Sequence, residues 1–379
     1  MKMILRFILM VMSLVLLSGC WDSKEIQDIQ YISAMGIDYQ NGQYVIYVQV
    51  PSFAGVAKQE GLEPKPTPVW VVKGQGKTLQ VAMNDIYKRA NQYIYWAHVK
   101  LIIFSENLLK HGLDNVNDPI LRFQQIRETT WLYGTDDSLE KILFVNSLFG
   151  SSVQTSIFNP NDIYKLRSYV EPIRIHRFYT ENYETGMTIK LPKVSLKTEV
   201  WKFKEKSQDT VKLSGAYFIK DNQLKGEIGN KDLGGLRWLT KSTVRSPVAL
   251  KINKNNDVEL SLYRPKFKIK PIYINDKVEF DISIKVEGAV MDLEEKIPFS
   301  QLKEKTEEAL EKEIRDTYKY ALEKNIDIYN LERVIYRKDL KKWKEIHKKD
   351  FNLNEDSIRN IQVEVTIQKT GDFKYEYIN

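Results

Sequence analysis

Val278-Glu279-Phe280-Asp281-Ile282-Ser283-Ile284-Lys285-Val286 alternates strictly between apolar and polar side chains. Successive strand residues point to opposite faces, so Val278, Phe280, Ile282, Ile284 and Val286 form a dry face and the residues between them a wet one. One-sided burial is the mark of an antiparallel sheet, not of a parallel sheet covered on both faces. Upstream, Val258–Leu262 and Phe267–Ile274 read as two more strands. Downstream the period changes: Leu302, Thr306, Leu310, Ile314, Tyr318 and Leu322 recur every four residues among Lys and Glu, the stripe of a long helix lying on a core. Tyr336, Leu340, Trp343 and Ile346 mark a second helix, and Ile361, Val363, Val365 and Ile367 alternate as a closing strand. Strands, then helices, then a strand make this half α+β, an antiparallel sheet packed by long helices.

Further toward the N-terminus, Val211–Ile219 and Gln223–Ile228 flank Lys220-Asp221-Asn222 as a hairpin, and Asp232–Leu239 reads as a short helix weakened by Gly234-Gly235. Asn41-Gly42 predicts a hairpin between Tyr31–Asp38 and Tyr44–Val50. Residues 51–68, with four prolines and two glycines, read as a surface loop. Val69–Val72, His98–Phe104 and Thr129–Tyr133 read as strands. Leu79, Ala82, Met83, Ile86, Tyr87 and Ala90 follow helical spacing behind a Thr78 cap. Ser105 caps a short helix that stops at Gly112, Ser138–Leu148 forms another, and Asn159-Pro160 opens a third. Strands alternating with helices predict a mixed sheet covered by helices. The expected organisation is residues 20–200, with a subdivision near 150 left open, followed by residues 201–379.

Residues 1–19 have the layout of a secretory signal: Lys2 and Arg6, an uncharged run from Phe7 to Leu17, then Leu17-Ser18-Gly19-Cys20. The run is too short to span a membrane comfortably. Leu-Ser-Gly-Cys resembles a lipobox, which makes Cys20 the expected lipidation site and the first residue of the mature chain. It is the only cysteine, so once acylated it leaves no thiol for a disulfide. Loss of Lys2 and Arg6 takes the formal charge from +7 to +5. A hydrophobic content of 42% argues for a packed body and against disorder. No second apolar run is long enough to cross a membrane, so the body is expected to be soluble and tethered.

Concentrated chemistry is scarce. Gly74-Gln75-Gly76-Lys77-Thr78 invites comparison with a phosphate loop, but the required earlier glycine is Val71. His98, His111, His176 and His347 share no metal-ligand spacing, and His98 reads as a structural residue of an apolar strand. No Gly-x-Ser-x-Gly element occurs. Glu307, Glu308 and Glu311 sit on the solvated helix beside Lys303, Lys305, Lys312 and Arg315. The basic run of Arg337, Lys338, Lys341, Lys342, Lys344, Lys348 and Lys349 fits either the wet face of a helix or contact with anionic lipid heads. These residues predict no catalytic residue, cofactor or metal site and no nucleic-acid partner.

Several segments resemble one family in order along the chain. They are Cys20-Trp21-Asp22 with Glu25-Ile26 and Gly36-Ile37-Asp38; His98-Val99-Lys100-Leu101-Ile102-Ile103-Phe104-Ser105-Glu106 with Gly112; and Leu191-Pro192-Lys193-Val194. Then follow Gly215-Ala216-Tyr217-Phe218-Ile219-Lys220-Asp221 with Gly226 and Leu236-Arg237-Trp238-Leu239, and Asn325-Ile326-Asp327-Ile328-Tyr329-Asn330-Leu331 with Trp343 and Phe351. This pattern resembles the Ger(x)C family, the C subunits of spore germinant receptors. Two departures stand out: Asn330 and Glu332 occupy positions where the family usually has glycine, and Arg122-Phe123 replaces an arginine-aspartate pair. The resemblance implies a multi-domain mixed α and β lipoprotein on the outer face of the cytoplasmic, spore inner, membrane. It implies assembly with an A-type membrane subunit and a permease-like B-type subunit in a nutrient-responsive complex, with a non-enzymatic scaffold or coupling role. It carries over one site residue, Cys20. The competing readings are a solute-binding lipoprotein of a transporter, which the one-sided strands from Val258 to Val286 fit poorly, and a wall or cortex hydrolase, which the missing catalytic motifs disfavour.

Overall fold

The computed structural model describes residues 3–4, 6–7, 29–51, 69–145, 157, 159–167, 169–203, 205–253, 256–274, 277–293, 297–347 and 352–368. Cys20, all of the signal peptide but residues 3–4 and 6–7, and the 52–68 loop lie outside the described residues. The first part of the chain runs β1 (Ile29–Tyr31), β2 (Ala34–Gln40), β3 (Gln43–Pro51), β4 (Val69–Gly76), α1 (Leu79–Arg89), β5 (Tyr93–Tyr95), β6 (Leu101–Ser105), α2 (Glu106–His111), α3 (Asp114–Arg122), β7 (Trp131–Thr135) and α4 (Leu139–Phe144). It continues through α5 (Pro160–Leu166), β8 (Ile173–Arg174), α6 (Ile175–Asn182), β9 (Ile189–Phe203), β10 (Lys206–Lys220) and β11 (Gln223–Gly229). These build a mixed sheet in the order β11-β10-β9-β7-β6-β2-β3-β4, with β8 on β7. The central neighbours β2, β6, β7 and β9 pair in parallel and the flanks are antiparallel.

Both faces of the central strands are buried, and the two-residue period sorts them. Met35, Ile37, Ile102 and Phe104 face one core with residues of α1, α2, α3 and α6, while Ala34, Leu101 and Ile103 face another with Leu139, Ile142 and Leu143 of α4. Local chemistry sets the ends of these elements. Thr78 and Ser105 accept backbone N–H bonds from Val81 and Leu108 and so cap α1 and α2. Asn41 and Gly42 turn the β2–β3 hairpin with both φ angles positive.

Two short 3-10 turns, Asn230–Asp232 and Gly234–Leu239, lead into β12 (Arg245–Asn253), β13 (Asn256–Ile274) and β14 (Lys277–Leu293). Then follow α7 (Phe299–Glu323), α8 (Leu331–Lys338), α9 (Leu340–His347), a 3-10 turn at Glu355–Ser357 and β15 (Ile358–Gln368). The second sheet has the order β12-β13-β14-β15. Phe280, Ile282, Ile284 and Val286 are buried on its dry face against Leu302, Leu310, Ile314 and Tyr318 of α7, as the alternation and the stripe predict. Four-residue steps overshoot a 3.6-residue turn, so the buried line shifts by a three-residue step to Thr317 and Ala321, leaving Leu322 half-buried.

Three local expectations change. The two strands expected at 258–262 and 267–274 are one strand, β13, bent where Arg264 takes a left-handed φ of 42° and the register against β14 shifts between Tyr263 and Lys266. β15 pairs with β14 in parallel, because the helical crossover α7–α9 carries the chain back to the starting end of the sheet. The second helix breaks into α8 and α9 at Asp339, whose Oδ1 accepts the Lys342 N–H. The expected 200/201 division falls inside the β9–β10 hairpin, both arms of which belong to the first sheet. β10 serves both halves: Tyr217 and Ile219 face the first core, Ala216 and Phe218 the second.

Candidate functional site: the junction cleft

The halves meet along β9, β10, α6 and the segment from Ile326 into α8, and a cleft of about 880 Å³ opens at this junction. Its construction begins with β9. Ile189 and Leu191 are fully buried in the first core, so Lys190 between them points the other way, toward Ile328, Tyr329 and Asn330. Lys190 is half-buried, and among the described residues its Nζ meets no hydrogen-bond or ion-pair partner. Burial lowers its pKa below the ordinary lysine value, against the pull of Glu181 and Asp327.

Asp327 organises the opposite wall. Its two carboxylate oxygens accept the Leu331 and Glu332 N–H groups at 2.9 Å, closing the first turn of α8. Burial nonetheless pushes its pKa above the usual carboxylate value. Asn330 adopts a left-handed conformation, φ 56° and ψ 44°, and its Oδ1 accepts the Thr188 N–H at 2.7 Å across the junction. Asparagine tolerates the left-handed region that otherwise favours glycine, so Asn330 can hold this turn without one. Glu332, 4% exposed, pairs with Lys220 of the β10–β11 hairpin and packs against Gly186. At the rim, Arg333 and Arg337 both bond Glu184, and Arg177 bonds Glu171 and Glu181.

A backbone test follows from Asn330. Alanine and glycine both remove the acceptor for Thr188, but only alanine places a Cβ in the left-handed region, which costs about 1–2 kcal/mol. Asn330→Ala is therefore expected to be less stable than Asn330→Gly by that margin in urea unfolding. Equal midpoints and slopes for the two variants would refute the assignment.

The other residues singled out by sequence have local roles. A Cβ on Gly74 would come within 2.4 Å of the Ala82 carbonyl, and one on Gly76 within 2.7 Å of the Ala82 nitrogen. These glycines let α1 lie close on β4, which accounts for the phosphate-loop likeness. His98 lies before β6, not within it; it is exposed and packs against Tyr31 and Tyr95. His111 stacks on Tyr39, and His176 accompanies the Glu128 carbonyl. Glu308 and Glu311 pair with Lys305 and Arg315 on α7, and Glu307 accepts the Val365 N–H. In the basic run, Arg337 faces Glu184, Lys338 donates to the Ile269 carbonyl and Lys342 pairs with Glu345; Lys348 and Lys349 lie outside the described residues. Asp38 and Ser105, from two separated family-like segments, hydrogen-bond to each other. Arg237 and Trp238, from another, both bond Glu313 of α7. Sequence reasoning did not single out Lys190 or Glu184 as part of a site; a lysine between two apolar strand residues reads as facing water.

Among the described residues no helix is long and apolar enough to cross a membrane. The arrangement defines a two-half mixed α and β chain whose family-like segments converge on buried ties within and between the halves. The profile of the spore germination protein N-terminal domain matches residues 22–196, and that described as spore germination B3/GerAC like, C-terminal, matches residues 214–371. Spore germination protein KC of Bacillus subtilis (strain 168) is 26% identical over 363 residues, covering 89% of this chain and 88% of its own length. Spore germination protein B3 of the same organism is 24% identical over 306 residues, covering 77% and 76%. The crystal structure of the GerBC protein matches with a TM-score of 0.56 at 19% identity, over 89% of this chain and 97% of that one, a likeness of fold. The chain belongs to the Ger(x)C family of spore germination proteins, the germinant-receptor C subunits.

Proposed function

We propose that this chain is the lipid-anchored C subunit of a nutrient germinant receptor and works as a non-enzymatic scaffold. In this reading Cys20 holds it at the outer face of the spore inner membrane, where it couples an A-type subunit and a permease-like B-type subunit. The observation that supports it best is the family match on both halves, together with the family-like segments that build the ties holding them. A lipid anchor adds an energetic advantage, because confinement near membrane partners raises their effective concentration without any new contact. The reading assigns no catalytic residue.

Deleting the gene in the native spore former is expected to abolish or slow the response to one set of nutrients. Germination by a non-nutrient trigger should proceed at the normal rate. Spores that lack the gene and every paralogous receptor, yet respond normally to all nutrients, would defeat the proposal.

A further inference from the structure

The junction cleft carries a charge imbalance that its structural role does not need. Arg177 is matched by Glu171 and Glu181, whereas Arg333 and Arg337 share the single carboxylate Glu184. Lys241 and Lys268 line the same cleft without a carboxylate partner among the described residues, and Lys338 has only a backbone carbonyl. Lys190 lies between these walls, half-buried, with Glu181 and Asp327 nearby but no hydrogen-bond or ion-pair partner among the described residues, held there by the burial of Ile189 and Leu191 on either side. A half-buried ammonium without an acceptor is unfavourable, and replacing it with an apolar group is ordinarily neutral or stabilising for the fold. The side chains come from α6, β9, the segment after the second 3-10 turn, β13 and α8, so they converge on one space from separate parts of the chain. The volume suits a small ligand.

We propose that this cleft binds a phosphate-bearing ligand, with Lys190 as the inner contact and Lys241, Lys268 and Arg333 as the outer ones. A phosphate carries more than one negative charge and several acceptor oxygens, so one group answers cations arriving from several directions; a single carboxylate does not. The site supplies binding only. No reaction is assigned to it. The phosphate could belong to a lipid headgroup or to a soluble ester, and the same chemistry recognises both.

The test uses the full chain, purified in detergent, with inorganic pyrophosphate as the probe and isothermal titration calorimetry at low salt as the readout. Saturable one-site binding is expected, weakened at least tenfold by Lys190→Met and weakened by Lys268→Glu. Lys190→Met should leave the unfolding midpoint unchanged or raised, which separates loss of the site from loss of the fold. Titration in nanodiscs then distinguishes the sources. Weaker pyrophosphate binding in discs containing phosphatidylglycerol than in pure phosphatidylcholine identifies a competing headgroup. Equal binding in both identifies a soluble ligand. Absence of saturable binding to the wild-type chain, or equal affinity in wild type and Lys190→Met, overturns the proposal.

Discussion

Glu313→Ala is expected to destabilise the chain by about 3–5 kcal/mol, the range for breaking a buried ion pair by removing one partner. The size follows from what the carboxylate holds. Its two oxygens accept from Arg237 Nη2 at 2.9 and 3.0 Å, and one also accepts the Trp238 indole N–H at 2.7 Å. The Arg237 side chain is only 5% exposed, whereas Glu313 is 32% exposed. Removing Glu313 therefore strands a guanidinium and an indole N–H in the core, while removing Arg237 leaves a carboxylate that water can still reach. Glu313→Ala should accordingly be costlier than Arg237→Met. The Pro247 carbonyl and the Tyr169 and Trp238 rings hold the guanidinium on its other sides and do not replace the lost negative charge. Urea unfolding of the purified full chain reads both variants. A Glu313→Ala loss below that of Arg237→Met would show that the charge is not stranded. The same helix explains the neighbouring glycine, since a Cβ on Gly235 would meet the Glu313 carbonyl at 2.5 Å.

Cys20→Ala is expected to remove lipid attachment entirely and leave an unprocessed precursor, with less receptor or less receptor activity at the membrane. The motive is Leu17-Ser18-Gly19-Cys20 directly after the apolar run Phe7–Leu17. Acyl chains contribute about 0.8 kcal/mol of membrane affinity per buried methylene, and stable anchoring takes two such chains or a second signal. The cysteine thiol is where this sequence offers an attachment point, because no other cysteine exists. Metabolic labelling with a tagged fatty acid measures the outcome. An alanine variant labelled as strongly as the wild type would refute it. The lipid anchor and the receptor role fail separately: a chain without lipid could still be required for the nutrient response, and a lipidated chain could be dispensable for it.

Local patterns in the sequence determined much of the fold. The alternation in β14 specifies which face is dry, since a one-residue slip would move every apolar side chain into water. Asn41-Gly42 specifies a tight turn because both residues accept positive φ, and Thr78 and Ser105 start helices through their own hydroxyls. The ordered family-like segments made the family legible, although one of them begins at Cys20, outside the described residues. What local pattern could not report is which surface covers a given face. The parallel entry of β15 depends on where a crossover of three helices delivers the chain, and the continuity of β13 depends on a partner strand that bridges the bend at Arg264. Ala216-Tyr217-Phe218-Ile219 in β10 is apolar on both faces, so only the assembled halves decide that Tyr217 and Phe218 enter different cores. The cleft was hidden for the same reason: Lys190 follows the pattern of a solvent-facing strand residue, and the wall from Ile328 to Arg333 that half-buries it lies more than a hundred residues away.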